Sequence, residues 1–556
     1  MRNSSNSESS TECEEDQVPF LIDEKDEVDA GDYGRGRQGR KERSFTKRSL
    51  AQLLALVIGS LVLFAVAMGV VIIKHSHISS TGIERPGQYL LDSNWVFEAP
   101  AQRREYYWTI KDTTISPDGV QRPAILINEQ FPGPLIEVNE GDTIVVHIDN
   151  QASNSTSIHW HGIYQNGSNW FDGTAGVTQC PIAPGTTFDY EFTVDGQAGT
   201  YWYHAHQAVQ TADGLFGPLI IHSRDEKTLQ EISYASDRVV MVQDYYHNLS
   251  SQLLFSYLEP DNENAEPIPV GALINGQSSA SFDLTAGQTH RLRIINVGAF
   301  ATFQVNVDKH DFAITEAGGT DLHPVLSDML TINPAQRYSI ILSVNDTERG
   351  ASWLHARMNT HCFAEQTASR FEALAQIRYH SDQETTDSVE PDPTSPLSAE
   401  CGDMSLSSFK PVQQFPAPSK PDASFYIRTN FEIGAHRLSR GFFNSSSFRT
   451  ENTPPAHRMI SGIEALNTSF SVLTPPPEII PTIFGPHPFP PLQDHIGVNT
   501  AAYDSSKELV IQTPTTGKVL DFIFVNFDDG SHPLHLHGHK FWVLGQGKGY
   551  PHWNSS

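Results

Sequence analysis

The sequence predicts an all-β protein: three related β-domains behind an N-terminal membrane span. Short runs rich in Val, Ile, Thr and aromatic residues, punctuated by Gly, Pro, Asn and Asp, dominate from residue 85 onward, as in sandwiches or barrels. A ten-residue pattern recurs three times, as "GDTIVVHIDN" (141–150), "GQTHRLRIIN" (287–296) and "GKVLDFIFVN" (517–526). Each copy opens with Gly, closes with Asn and alternates apolar residues as a half-buried strand does. Finally, "LAQLLALVIGSLVLFAVAMGVVII" (50–73) carries no charge and is long enough to cross a bilayer.

Taken in order, residues 1–49 read as a disordered cytosolic tail, acidic and Ser-rich at the start. Residues 50–73 read as a signal anchor rather than a cleaved signal peptide, whose apolar core is shorter and nearer the start. Arg35, Arg37, Arg40, Lys41, Arg43, Lys47 and Arg48 precede the span, and only Lys74 follows it closely. The excess of positive charge therefore keeps the N-terminus in the cytosol, giving a single-pass type II protein whose main part is extracellular or lumenal. Sequons at Asn154, Asn166, Asn248, Asn345, Asn444, Asn467 and Asn554 all fall on the outer side, as expected of a glycoprotein.

After a juxtamembrane linker (74–99), the first β-domain is expected over 100–224 and the second over 225–381. A Ser/Pro/acid-rich connector over 382–424 leads to the third, 425–556. The first two repeats also follow "LIN-x-Q" segments, 126–130 and 273–277. The 65 acidic against 37 basic residues, a net charge of −28, exclude nucleic acid as a partner, since phosphate binding needs a basic surface. Outside the tail stand Cys180, Cys362 and Cys401, enough for one disulfide with one thiol left over.

The repeats bring the histidines into register. His159 and His161 stand nine and eleven residues after Asn150, and His535 and His537 hold the same offsets after Asn526. The second domain has Val305 and Val307 there and reads as a spacer. On a strand, residues i and i+2 share a face, so each HxH presents two imidazoles side by side. A third pair, His204 and His206, sits in "TYWYHAHQ". One such pair is commonly an accident of sequence. Three of them, two in matching register, point to a metal cluster shared between domains one and three. Six histidines exceed what one four-coordinate zinc uses, which favours several metal ions.

These residues lie in "SIHWHGIYQNGSNWFDG", "TQCPIAPG", "GTYWYHAHQAVQTADGLFGPLII" and "HPLHLHGHKFWVLG", and through them the chain from about residue 100 onward resembles the multicopper oxidases: laccases, ascorbate oxidases and copper ferroxidases. The resemblance implies three cupredoxin-like Greek-key β-sandwiches and four coppers, one type 1, one type 2 and two type 3. It implies that His159 and His535 are type 2 ligands, that His161, His204, His206 and His537 are type 3 ligands, and that His532 is a type 1 ligand. Asp172, in "WFDG", matches an acidic residue the family uses near the cluster to manage protons; a plain turn role before Gly173 fits the sequence equally well. His539 has no ligand role in the family.

The expected activity is laccase-like: one-electron oxidation of phenol-like or similar substrates coupled to four-electron reduction of O2 to water. Oxidation of Fe(II) is one alternative, and a non-catalytic, membrane-tethered copper-binding protein is another. The family's H-C-H motif, which supplies the type 1 cysteine and two type 3 histidines, is absent; "THCF" has Phe363 where a histidine is required, so Cys362 reads as structural or disulfide-bonded. With fifteen residues after Phe541, the chain as written holds one of three type 1 ligands and six of eight cluster ligands. The expectation is therefore a truncated third domain, inactive on its own.

Overall fold

The computed structural model describes residues 89–547, apart from 260–261, 263–264, 346–350, 364–370, 381–389, 393–397, 434–438, 445, 449–496, 499–510, 513–516 and 529. The expected tail, span and most of the linker, and the sequons at Asn467 and Asn554, lie outside the described residues. Among the described residues, no helix is long and apolar enough to cross a membrane.

The all-β expectation holds. The first sandwich contains β1 (Arg103–Ile115), β2 (Arg122–Ile127), β3 (Ile136–Asn139) and β4 (Thr143–Asn150), then β5 (Ile158–His161), β6 (Thr186–Thr193), β7 (Gly199–Ala205) and β8 (Phe216–His222). They form two four-stranded sheets, β2-β1-β4-β6 and β3-β8-β7-β5. Between the sheets lies a core of Trp108, Ile110, Val146, Trp160, Tyr190, Tyr203 and Leu219 with their neighbours.

The second sandwich is larger. It comprises β9 (Ser236–Tyr245), β10 (Gly271–Ile274), β11 (Ser279–Thr285), β12 (Thr289–Asn296), β13 (Phe303–Val307), β14 (Phe312–Ala317), β15 (Thr320–Ser327), β16 (Leu330–Ile332), β17 (Arg337–Ser343), β18 (Ala351–Met358) and β19 (Glu372–His380). A six-stranded sheet, β10-β9-β12-β17-β14-β15, faces a five-stranded one, β11-β19-β18-β13-β16. The helix α1 (Ser250–Tyr257) lies between β9 and β10. In the third unit, the described strands β20 (Ala423–Ile433), β21 (Ser439–Phe443) and β24 (Leu520–Asn526) form one sheet, and β22 (Gly497–Val498) pairs with β23 (Ile511–Gln512). Phe522, Phe524, Leu536, Trp542 and Leu544 are exposed there.

The three repeats are one structural device used three times. Each Gly-to-Asn strand runs parallel to the strand that begins its unit: β4 beside β1, β12 beside β9, β24 beside β20. The closing Asn explains its own recurrence. Asn150 Oδ1 accepts from the Ala152 N–H (3.1 Å) while its Nδ2 donates to the Asn154 and Ile182 carbonyls. Asn296 likewise accepts from Gly298 N–H and donates to Ala301 and Ile332, and Asn526 accepts from Asp528 N–H and donates to Asp528 and Gly530. Only a short side chain with two donor hydrogens and an acceptor satisfies this turn, which rules out Asp, with no donor, and Ser, with one.

The "LIN-x-Q" segments are tight hairpin turns, with Asn128 and Asn275 at φ 50° and 48°. Each Asn side chain accepts a backbone N–H (Thr109, Met241) and donates to a carbonyl (Tyr107, Val239) of the neighbouring strand. The structure shows a third copy that the sequence pattern did not reveal: Asn444, φ 52°, accepts from Arg428 N–H and donates to the Tyr426 carbonyl. Its flanks, Phe443 and Ser446, have lost the Leu-Ile and Gln that marked the other two.

β13 occupies the place of β5, and Val305 and Val307 are buried in the second core. The described part of the connector is exposed or half-buried, as its composition suggests, and is tied down at several points. Cys401 is disulfide-bonded to Cys362, leaving Cys180 free and exposed; Gln304 exchanges hydrogen bonds with Ser398, and Asn359 donates to the Glu400 carbonyl.

Candidate metal centre

β5, the edge strand of its sheet, pairs antiparallel with β7, with His159 opposite His204. The period of two then turns His159 and His161 to one face, as expected. His204 lies on β7, and His206 follows one residue beyond its end at Ala205. The ring centroid of His159 lies 5.6 Å from that of His161, 5.3 Å from His204 and 5.4 Å from His206.

The third unit supplies the other two histidines by a different route. Residues 532–541 contain no strand, so the expectation that every HxH sits on a strand fails there. This segment leaves β24 and docks on the first sandwich without a described strand partner. Gly538, at φ 73°, turns the chain where a Cβ would stand 3.1 Å from the Tyr164 carbonyl. The docking stacks His535 on His161 (3.9 Å, 13° between planes) and sets His537 4.1 Å from His159 and 5.3 Å from His206. Two triples, His159–His535–His537 and His159–His161–His204, each offer nitrogens within 4.8 Å of one another.

Asp172 ties these histidines together. Its backbone carbonyl accepts from His159 Nδ1 (2.8 Å), and its Oδ2 accepts from His537 Nδ1 (2.8 Å) and from the Thr174 hydroxyl (2.9 Å). Gly173 makes this approach possible: at φ 82°, a Cβ there would lie 1.7 Å from the Ile158 carbonyl oxygen. With Nδ1 donating, His159 directs Nε2 inward, where it is buried without a hydrogen-bond partner. His204 Nδ1 donates to the Ala205 carbonyl (2.9 Å), again leaving Nε2 free.

Burial is the main influence on these groups. It lowers the pKa of His159, takes His161 and His204 far below the ordinary imidazole value, and brings His206 to about 4 and His535 to about 3; neighbouring imidazoles add to the effect. The rings are therefore neutral at pH 7 and keep the lone pairs that a metal needs. Burial alone would raise the Asp172 carboxyl, but hydrogen bonds from His159 and His537 more than offset it and hold the group well below the usual carboxylate range. An ionised Asp172 and an orphaned His159 nitrogen among imidazoles fit a site for soft or borderline metal ions such as copper.

His532 is not part of this cluster; its Nε2 meets Asp528 Oδ2 at 2.7 Å and its ring lies 4.9 Å from Phe431. His539 donates Nδ1 to the His537 carbonyl, an orienting role. Sequence reasoning missed Thr174, Thr211, which meets His204 Nδ1 at 3.2 Å, and Trp202, stacked on His204 at 4.3 Å. It also missed Arg337 of the second sandwich, whose positive charge acts on His161 and His535. Trp202 and Thr211 lie in a quoted motif, but Thr174 and Arg337 carry no local signal.

Three segments of the chain, residues 109–226, 236–381 and 476–556, match family models described as multicopper oxidase. The chain is 30% identical over 495 residues to Laccase-1 of Cryptococcus neoformans var. neoformans serotype D (strain B-3501A), covering 84% of this chain and 73% of that protein. It is 32% identical over 434 residues to the iron transport multicopper oxidase fetC of Epichloe festucae (strain E2368), covering 77% and 63%. Among solved structures it resembles Fet3p, a multicopper oxidase that functions in iron import, with a TM-score of 0.63, 27% identity and coverage of 79% and 75%. The laccase from Botrytis aclada gives a TM-score of 0.56 and 28% identity, covering 68% of this chain and 72% of that one. This chain thus belongs to the multicopper oxidases, copper-dependent oxidoreductases.

Proposed function

We propose that the protein couples one-electron oxidation of phenol-like or similar substrates to the four-electron reduction of O2 to water, as a laccase does. The observation that carries this reading is the convergence of six imidazoles from two units on one point, with Asp172 bridging two of them. In this reading His159 and His535 hold a type 2 copper, His161, His204, His206 and His537 belong to a type 3 pair, and His532 belongs to a type 1 site, four coppers in all. Copper supplies the one-electron steps that an organic side chain cannot.

The chain's own residues do the rest. Thr174, Thr211 and the Ala205 carbonyl orient the rings, and the stacked Trp202 helps exclude water beside His204. Asp172, ionised and buried, holds His159 and His537 in the tautomer that presents Nε2, and among the described residues its carboxylate is the one hydrogen-bonded to the cluster.

Oxidation of Fe(II) is the second reading, favoured by the likeness to Fet3p and to the Epichloe protein, both named for iron transport or import. We place the catalytic part outside the cytosol, behind a single span at 50–73. Asn154, Asn166, Asn248 and Asn345 are exposed, as acceptors of glycans must be.

Steady-state kinetics on Fe(II) and on a phenol, with oxygen uptake recorded, separate the two substrates. A strong preference for Fe(II) would replace the first reading by the second, and oxygen uptake on neither would leave a copper-binding protein. His535→Ala should abolish oxygen uptake while sparing any blue absorption, and His532→Ala should do the reverse to the colour; full turnover in both would refute the ligand assignment.

A further inference from the structure

The second sandwich contributes no imidazole to the cluster, yet it reaches the strand that bears His204. Arg337, the first residue of β17, donates Nε to the Thr200 carbonyl (3.0 Å) and packs over the Tyr201 ring at 5.5 Å. Its Nη2 stands 2.9 Å from where a Cβ on Gly162 would be, and Gly162 directly follows His161. Only a glycine leaves room for a guanidinium this close to the HxH strand.

Among the described residues, no carboxylate lies within ion-pair distance of Arg337. Glu316, the acid whose charge acts on it, is taken up by Arg291 (2.8 Å), Ser339 and Thr200. Lys540, which donates to the Gly319 carbonyl, adds a second cation at the same seam. A guanidinium stays charged at any working pH.

We propose that Arg337 is the electrostatic determinant of small-anion binding at the imidazole cluster: a fixed, uncompensated cation that draws hydroxide, halide or azide to it. This rests on the copper reading above. Metal cations held by imidazoles beside a fixed cation leave positive charge that the single Asp172 carboxylate offsets only in part, and a small mobile anion balances the rest. The same charge works against the metal, so removing it has opposite effects on the two ligands. A merely structural role has no such signature, since loosening the site weakens both.

The test uses the full chain as wild type, Arg337→Gln and Arg337→Lys. Cu(II) affinity is measured by chelator competition, metal content by elemental analysis, and azide binding to the loaded protein by absorbance and electron paramagnetic resonance. Arg337→Gln should weaken azide binding by about tenfold, the order of one substantially screened charge, while tightening Cu(II). Arg337→Lys should stay near wild type for azide. Unchanged azide affinity at full copper content, or a loss of copper affinity in the Gln variant, would overturn the proposal and leave the copper reading standing. Wild-type protein that takes up no copper would overturn both, and metal analysis shows this before azide is added. Should the Gln variant not fold, Arg337→Met, closer in shape, carries the same expectations.

Discussion

Replacing Glu316 with glutamine removes a charge from a buried ion network that fastens the first sandwich to the second. Glu316 accepts from Arg291 Nη2 (2.8 Å), the Ser339 hydroxyl (2.5 Å), and both the N–H (2.7 Å) and hydroxyl (2.9 Å) of Thr200 on β7. Arg291 and Arg293 also hold Glu226, which lies beyond β8, and Arg293 holds Asp237. Four carboxylates, Glu316, Glu226, Asp237 and Glu137, thus face two guanidiniums and His222, which bonds Glu226 and Glu137. All three network members at its centre, Arg291, Arg293 and Glu316, are at most 1% exposed. Deleting one partner of such a group leaves a buried charge uncompensated, at a cost of about 3–5 kcal/mol. In a unit of this size that lowers Tm by roughly 6 °C or more.

The network also predicts how stability depends on pH. Burial alone would raise the Glu316 pKa, but Arg291 and Arg293 bring it down to about 2. A depressed carboxyl contributes stability that is complete above its unfolded value of 4.5 and is lost as pH falls toward 2. Glu316→Gln should therefore be less stable at pH 7 and flatter between pH 4.5 and 2. It should also lower the pKa of Asp321, which burial and then Glu316 push up to about 6. Thermal and denaturant unfolding against pH provide the assay. A variant within 1 kcal/mol of wild type, with an unchanged acid limb, would refute the argument that this network locks the two sandwiches.

His222 gives the opposite sign. Burial alone would lower its pKa, yet hydrogen bonds to Glu137 and Glu226 leave it raised, so its contribution is complete below 6.5 and fades as pH climbs through the folded value. His222→Gln should flatten the alkaline limb; a stability profile that keeps its alkaline slope would count against the charged pair. Gly173→Ala should cost about 2 kcal/mol or more and reduce copper uptake, because it combines a positive φ with a 1.7 Å overlap on the Ile158 carbonyl. Normal copper content and stability in that variant would show that the Asp172 turn has another solution. Breaking Cys362–Cys401, which closes a separation of 39 residues, should cost roughly 3–4 kcal/mol on denaturant unfolding without changing copper content; a smaller loss would mean that the connector is held by its hydrogen bonds alone.

The sequence by itself determined the elements whose causes are local. Alternation and the Gly-to-Asn frame specify strands, and on β5 the HxH spacing specifies which face carries the imidazoles, because a period of two and an Asn-closed turn need no distant partner. That was enough to mark the six histidines that come together among the described residues and to see that Val305 and Val307 stand at the matching offsets in the second sandwich. The third hairpin at Asn444 escaped because its flanks changed while its hydrogen bonds did not.

Only the tertiary structure decided what those residues meet. Asp172 and His537 are 365 residues apart and lie 2.8 Å from each other. His535 and His537 reach the cluster on a segment that is not a strand, so docking against the first sandwich, rather than local pitch, places their rings. Glu316 and Arg337 look like ordinary residues of a half-buried sheet until β7 is packed against them. A charge buried at an interface between sandwiches leaves no periodic trace in the chain, because its energy depends on which partners and how little water the folded protein puts around it.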